Sequence, residues 1–301
     1  MTLGSLALQP RRMVASCGGP AAFAGLCLAV MLVGIALFAP AIAPDDPIQV
    51  DVLNRLSEPT AAHWFGTDQS GRDVLSRVIW GTRTSLEVAG LAVMIGLAGG
   101  VSLGLTAGFF RGGWLEQLLM RSLDAIASIP LLIWAIAVVG ILGTKEVHVG
   151  PFTFGNEVKV LVLLGLLYIP TLARVTYTAA AAESRATYVL ARRLQGVGGI
   201  RIMLSDVLPN CLSPVVVQAT LLLAVGIVIE ATISFVGLGV QPPRPSWGNM
   251  LAEARNYLLS GDWWLSVYPG MAIAVTVIAF NLLGDGLRDI LDPRHTTALS
   301  G

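Results

Sequence analysis

Six stretches of the chain are apolar and free of charge, separated by polar segments. They are residues 21–43, 88–110, 125–143, 160–173 with an apolar tail to Ala182, 212–229 continuing past Glu230 to Val240, and 263–284. A helix needs ~20 apolar residues to cross ~30 Å of hydrocarbon, and a backbone in lipid must satisfy its own N–H and C=O groups. The pattern therefore predicts an all-α integral membrane protein with six transmembrane helices. The first stretch is longer than the ~7–15-residue core of a secretory signal. It reads as an uncleaved span, although Ala41-Ile42-Ala43 has the small residues of a cleavage site.

Composition strengthens this reading. Of 301 residues, 54% are hydrophobic and 13% charged, where a soluble domain carries about 25% charged residues. The 19 basic and 19 acidic residues cancel, which removes the positive field of a nucleic-acid binder. The chain divides into 1–87 (first span and an external segment), 88–290 (the remaining bundle, with an internal loop at 183–210) and a tail at 291–301.

Positive residues resist translocation and set orientation. With the N-terminus inside, the inner side receives Arg11, Arg12, Arg111, Arg121, Arg174, Arg185, Arg192, Arg193, Arg201, Arg288 and Arg294. The outer side receives eight basic residues, four of them in 44–87, so both termini are expected inside. Trp263 and Trp264 are expected at the outer interface, where aromatic belts form. Within 44–87, Val74, Leu75, Val78 and Ile79 share one helical face opposite Arg72, Asp73, Ser76 and Arg77; the apolar face is expected against the membrane or bundle. The inner loop 183–210 reads as helix–turn–helix, with Gly196, Gly198 and Gly199 at its turn, and is a candidate docking surface.

Several chemistries are excluded by motif. A phosphate-binding loop needs Gly-Lys-Ser/Thr, but the only lysines, Lys145 and Lys159, follow Thr144 and Val158. His63, His148 and His295 are scattered and form no HExxH zinc motif, so no metal site is expected. Cys17, Cys27 and Cys211 are too far apart for a framework and read as apolar fillers. Gly100-Val101-Ser102-Leu103-Gly104 fits GxSxG, the signature of an intramembrane serine protease, but no histidine lies in a span to serve as base. Gly96, Gly100, Gly104 and Gly108 instead form one bare stripe for close helix packing.

Ionisable residues at membrane depth cost at least ~2.5–3.5 kcal/mol at the centre. Arg174 can snorkel to the inner interface, and Asp124 and Asp285 lie near inner span ends. Glu230 has apolar sequence on both sides; it lines a polar route, with Ser234 one turn on, or it pairs with another helix.

The inner loop carries Tyr188-Val189-Leu190-Ala191-Arg192-Arg193-Leu194-Gln195-Gly196, then Val207-Leu208-Pro209-Asn210. This resembles the EAA loop of bacterial ABC importer permeases. The run from His63 through Gly66-Thr67-Asp68-Gln69-Ser70-Gly71-Arg72-Asp73-Val74-Leu75-Ser76-Arg77 resembles the GTDxxGRDVLSR stretch of the dipeptide/oligopeptide/nickel permease group. Glu230 through Pro243, Pro245 through Leu251, and Asn281 through Pro293 are similar again. Together and in order, these runs resemble the C-type permease of that group. The sequence departs from the pattern at Arg192, where the family shows a second Ala, and at Thr187 and Leu190, where polar or acidic residues are usual; Arg192 implies an acidic or roomier groove on a partner.

The resemblance implies a type I ABC importer bundle in a bacterial inner membrane, paired with a homologous B-type permease. It also implies an extracytoplasmic substrate-binding protein and two ABC ATPase subunits that carry ATP and Mg, so this chain itself needs no cofactor and is not an enzyme. Tyr188, Ala191, Arg192, Arg193, Gly196, Leu208 and Pro209 are the implied coupling residues. Peptides or related small solutes are the implied substrates, with nickel or another non-peptide solute as the alternative within the group. An ATP-independent channel or secondary transporter remains outside it.

Overall fold

The computed structural model describes residues 19–143, 147–149 and 152–291. Arg11, Arg12, Cys17, Lys145, Arg294, His295 and almost all of the 291–301 tail lie outside the described residues. Five helices are long and apolar enough to cross a membrane: α1 (Pro20–Ile42), α2 (Val74–Phe109), α5 (Asn156–Glu183), α7 (Gly199–Phe235) and α9 (Trp264–Leu291). The pair α3 (Trp114–Ala127) and α4 (Leu131–Leu142), which meet at a bend of 82°, is apolar enough to count as a sixth, broken span or as a re-entrant loop. The apolar stretch 125–143 is therefore not one helix but a sharply bent pair. Its break is Ser128-Ile129-Pro130, where Pro130 takes the N-cap of α4 and disfavours helical backbone at the residue before it. Two short helices, α6 (Thr187–Leu194) and α8 (Trp247–Ala254), stand between spans. A small antiparallel hairpin, β1 (Val147–Val149) and β2 (Phe152–Phe154), departs from all-helical structure, with His148 opposite Thr153.

Two helices extend well beyond their apolar runs. Helix α2 has 36 residues, about 54 Å at 1.5 Å per residue. It begins at Val74 rather than near 88, so the division at 87/88 falls inside one continuous helix. Helix α7 begins at Gly199, carries a π turn at Met203–Val207, and enters the bundle as a single rod. Pro209 stands two residues beyond this turn; a proline that lacks a donor and crowds the preceding turn is accommodated where the helix is locally widened.

The glycine stripe sets the closest helix pair. A Cβ on Gly96 would lie 2.7 Å from Tyr168 Cβ, on Gly100 2.6 Å from Leu172 Cβ, and on Gly108 2.7 Å from the Tyr177 carbonyl; Gly104 sits against Ala173. Helices α2 and α5 therefore touch backbone to backbone, which is how small residues hold helices in lipid. Ser102, on the exposed side, donates to the Ala98 carbonyl at 2.6 Å. Around this pair Val88, Val93, Leu163, Leu164, Leu172, Leu222 and Ile233 form the main core. Helix α1 packs on α9 through Gly25, against Leu282 and Leu283.

Trp264, expected at the outer interface, packs into the protein rather than standing free. It is buried, and its indole N–H donates to the Thr67 carbonyl at 3.1 Å, so it pins the segment before α2. Trp263 remains exposed.

Candidate coupling surface and polar cap

At one end of the bundle, α6 stands apart from the spans. Its single buried residue, Val189, enters a cluster with Leu105, Phe109, Ala180, Ile202, Val207 and Cys211, which joins α6 to α2, α5 and α7. Gly196 ends α6 at φ 77°. Its N–H donates to the Arg193 carbonyl at 3.0 Å, and the Val197 N–H to the Arg192 carbonyl at 3.3 Å. These two bonds make a Schellman cap, which places glycine in the left-handed region.

The side chains of the loop are tied to one another. Arg192 Nε donates to Asp206 Oδ2 at 3.3 Å, so the arginine that replaces the usual alanine has a carboxylate within its own chain, and no acidic groove on a partner is needed to explain it. The Arg193 guanidinium lies 5.2 Å from the Phe109 ring centroid, a cation–π distance. The Tyr188 hydroxyl donates to Glu183 and accepts from Asn210 Nδ2 at 3.0 Å. Burial, then the Glu183 bond, push Tyr188 up to about 12, so the phenol stays protonated at neutral pH. Leu208 packs against the cluster of Val189, and Ala191 and Pro209 are exposed. Leu190, Leu194, Ile200 and Leu204 are also exposed, Leu194 to 90%. They form an apolar patch on an otherwise polar loop, and such a patch marks an interaction surface. Glu183 and Asp206, which flank the quoted runs of the loop motif, and Asn210, which closes the second run, were not among the expected coupling residues; they meet through a spacing that the turn at Gly196 creates.

The opposite end carries a polar cap. Arg72 Nε donates to Asp68 Oδ2 at 2.6 Å, and Arg77 Nε lies 3.4 Å from the same oxygen. Glu253 Oε2 from α8 accepts from Arg72 Nη2 at 2.9 Å and Arg77 Nη2 at 3.2 Å. Arg77 is 0% exposed. The polar face of residues 72–77 is therefore buried, because two arginines and two carboxylates neutralise one another there. Asp73 caps α2, accepting from the Ser76 N–H and hydroxyl at 2.7 Å each. Gly71, at φ 78°, crosses so close to the Asp51 carbonyl that no Cβ fits. His63, a lone histidine in the sequence, is brought beside two carboxylates: its Nδ1 is 3.0 Å from Asp73 Oδ1 and 4.0 Å from Asp45 Oδ2.

Glu230 joins this cap to the bundle. It is 0% exposed; Ser85 of α2 donates to Oε2 at 2.9 Å and Ser234 to Oε1 at 2.7 Å. Ser234 also accepts the Val240 N–H at 3.1 Å. Glu230 thus pairs α7 with α2, the second of the two arrangements its sequence position allowed. Arg174 is paired as well, donating to Asp124 Oδ1 at 2.6 Å. Beyond Gly237 the chain returns through a capping box at Ser246 and Asn249 to Trp247, which is 0% exposed and donates to the Val78 carbonyl at 3.1 Å.

Two cavities border these elements. One of about 1110 Å³ at the capped end is lined by Asp45, Trp80, Arg83, Glu87 and Arg244 among others. Its charges are linked, with Arg244 contacting Glu87 at 3.3 Å and Glu157 at 2.9 Å. The second, about 610 Å³, is an apolar cleft between α3, α4 and α5. Lys159 at its edge donates to the Gly143 carbonyl at 2.8 Å.

Comparison with known proteins matches residues 100–297 to the family described as binding-protein-dependent transport system inner membrane component. The chain is 41% identical over 285 residues to the di/tripeptide transport system permease protein DppC of Pseudomonas aeruginosa (strain UCBPP-PA14), covering 92% of this chain and 89% of that one. It is 36% identical over 273 residues to the dipeptide transport system permease protein DppC of Alkalihalophilus pseudofirmus, covering 91% and 86%. It is 38% identical over 266 residues to the glutathione transport system permease protein GsiD of Pectobacterium atrosepticum, covering 88% and 84%. A bundle of five apolar helices and one bent pair, together with matches of this extent, places the chain in the family of inner membrane components of binding-protein-dependent transport systems.

Proposed function

We propose that this chain is the C-type permease subunit of an ATP-driven importer of peptides or similar small solutes in a bacterial inner membrane. Both termini face the cytoplasm, so α6 is cytoplasmic and the polar cap faces outward. Two ABC ATPases, which hold ATP and Mg, dock on 183–210; an extracytoplasmic binding protein delivers substrate at the cap. A homologous B-type permease packs against the face carrying α3, α4 and the apolar cleft. The peptide class is carried over from the names of the relatives, and nothing among the residues favours nickel.

The observation that carries this reading is the standing of α6. One buried residue anchors it, an apolar patch surrounds it, and its base is tied to α5 and α7 by Glu183, Tyr188 and Asn210. Force applied by a partner at Leu194 or Ile200 reaches α7 at its first residues. Helix α7 then runs unbroken to Glu230, whose carboxylate grips α2. A displacement at the ATPase side is thus transmitted as a rigid-body movement of spans to the far side.

In proteoliposomes containing the whole transporter and its binding protein, Gly196→Glu or Arg193→Glu is expected to leave ATP hydrolysis running while labelled di- or tripeptide uptake falls. Unchanged uptake in both variants overturns the coupling role. Uptake without the ATPases favours a channel or secondary transporter instead.

A further inference from the structure

We propose that Asp45, His63 and Asp73 form a binding site for a divalent transition-metal cation, with Zn²⁺ as the ion to test. The three donor atoms lie within 4.8 Å of one another. They come from three segments: the linker after α1, the loop before Gly66, and the cap of α2. Tetrahedral zinc with Zn–N and Zn–O bonds of ~2.0–2.2 Å separates its ligand atoms by about 3.4 Å. The distances from His63 Nδ1, 3.0 Å to Asp73 Oδ1 and 4.0 Å to Asp45 Oδ2, bracket that value. Asp45 is half exposed, so a small side-chain rotation closes the set.

The donor chemistry argues for a transition metal. Imidazole with carboxylates suits zinc and its neighbours, whereas Mg²⁺ and Ca²⁺ take oxygen ligands. Among the described residues, His63 is the only ion-pair partner of either carboxylate, so the two carboxylates meet there without an arginine or lysine. The ligands are held from behind. The Ser76 hydroxyl donates to Asp73 Oδ2 at 2.7 Å and accepts the Asp45 N–H at 3.0 Å, which fixes both acidic residues through one side chain. The His63 carbonyl accepts from Thr60 N–H at 2.8 Å and Gly66 N–H at 3.0 Å. Such supporting bonds orient metal ligands. The Asp73 oxygen that faces His63 is separate from the one that caps α2, and Asp45 lines the cavity of about 1110 Å³, which supplies an entry path and room for a fourth ligand. A bound cation would staple the end of α1 to the start of α2 across the outward cap.

The test is a Zn²⁺ titration of the full-length chain purified in detergent, stripped with a chelator and competed against a fluorescent zinc indicator at neutral pH. Wild type is expected to take up one Zn²⁺ more than His63→Gln. Asp45→Asn is expected to weaken that uptake by on the order of 10-fold or more, Asp46→Asn to leave it unchanged, and millimolar Mg²⁺ not to displace it. If His63→Gln fails to elute as a folded species, Asp45→Asn decides alone, because among the described residues that side chain's one polar partner is His63. Equal uptake by wild type and Asp45→Asn, equal loss in Asp46→Asn, or displacement by Mg²⁺ overturns the site and leaves a hydrogen-bonded histidine between two acids.

Discussion

Glu230 meets two serine hydroxyls inside a region that water does not reach. Removing the carboxylate leaves the Ser85 and Ser234 donors without an acceptor, and each orphaned buried group costs about 1–3 kcal/mol. Glu230→Ala is therefore expected to destabilise the chain by on the order of 2–5 kcal/mol, read as a lowered Tm in detergent. Glu230→Gln retains one acceptor oxygen and is expected to lose much less. Uptake by Glu230→Gln at the wild-type rate would also show that the residue holds helices together and is not part of a polar route. The polar cap follows the same logic with higher stakes. Breaking a buried ion pair from one side costs about 3–5 kcal/mol, so Glu253→Ala, which leaves Arg72 and Arg77 facing only Asp68, is expected to abolish accumulation of folded protein. Near-wild-type yield of folded Glu253→Ala would mean that Asp68 alone neutralises both guanidinium groups. Nothing in the local sequence marks Glu253: it stands 181 residues from Arg72, and only the return of the chain through α8 brings them together. Glu230, by contrast, was visible because an acidic residue between apolar runs is expensive in any membrane helix.

At the scale of elements, the positions of the spans were legible and their ends were not. An apolar run announces a span because lipid demands it, but a helix continues as long as its polar residues find partners. Arg77 is paired with Asp68 and Glu253, and Arg83 with Glu87 at 2.9 Å, so α2 runs through charges that seemed to bound it. The bend at Pro130 was hidden for the opposite reason: apolar residues flank it on both sides, and hydropathy does not register backbone direction. The glycine stripe was legible because its period of four needs no knowledge of the partner. It predicts that Gly100→Leu, which drives a side chain into Leu172 and the α5 backbone, prevents folding, whereas Ser102→Ala changes stability by no more than about 0.5 kcal/mol. Loss of function in Ser102→Ala with the fold intact would revive the serine as a chemical group.

For the whole molecule, charge and exposed apolar side chains are divided between the two ends of the bundle. The capped end is rigid: Trp247, Trp264, the Arg72–Arg77 cluster and the Glu230 bonds lock the 44–73 segment, α8 and the tops of α2 and α7 into one body. The other end exposes apolar side chains on α6 and the start of α7, and α6 itself is anchored by one buried residue, Val189. The proposed coupling needs this asymmetry, because a deformable cap would absorb any displacement passed along α7. The proposed orientation is testable without transport. Single cysteines introduced at Leu53 and Leu194, exposed to 95% and 90%, are expected to react from opposite sides of the membrane with an impermeant maleimide, in a background with Cys17, Cys27 and Cys211 replaced by Ala. Leu53→Cys should label in intact spheroplasts and Leu194→Cys only after permeabilisation. The reverse pattern would place α6 outside, where no ATPase can reach it, and would remove the coupling role together with the assignment of the cap to the substrate-receiving face. Labelling of Leu194→Cys should fall further when the ATPases are co-expressed, since a docked partner covers the apolar patch that this side chain now leaves open.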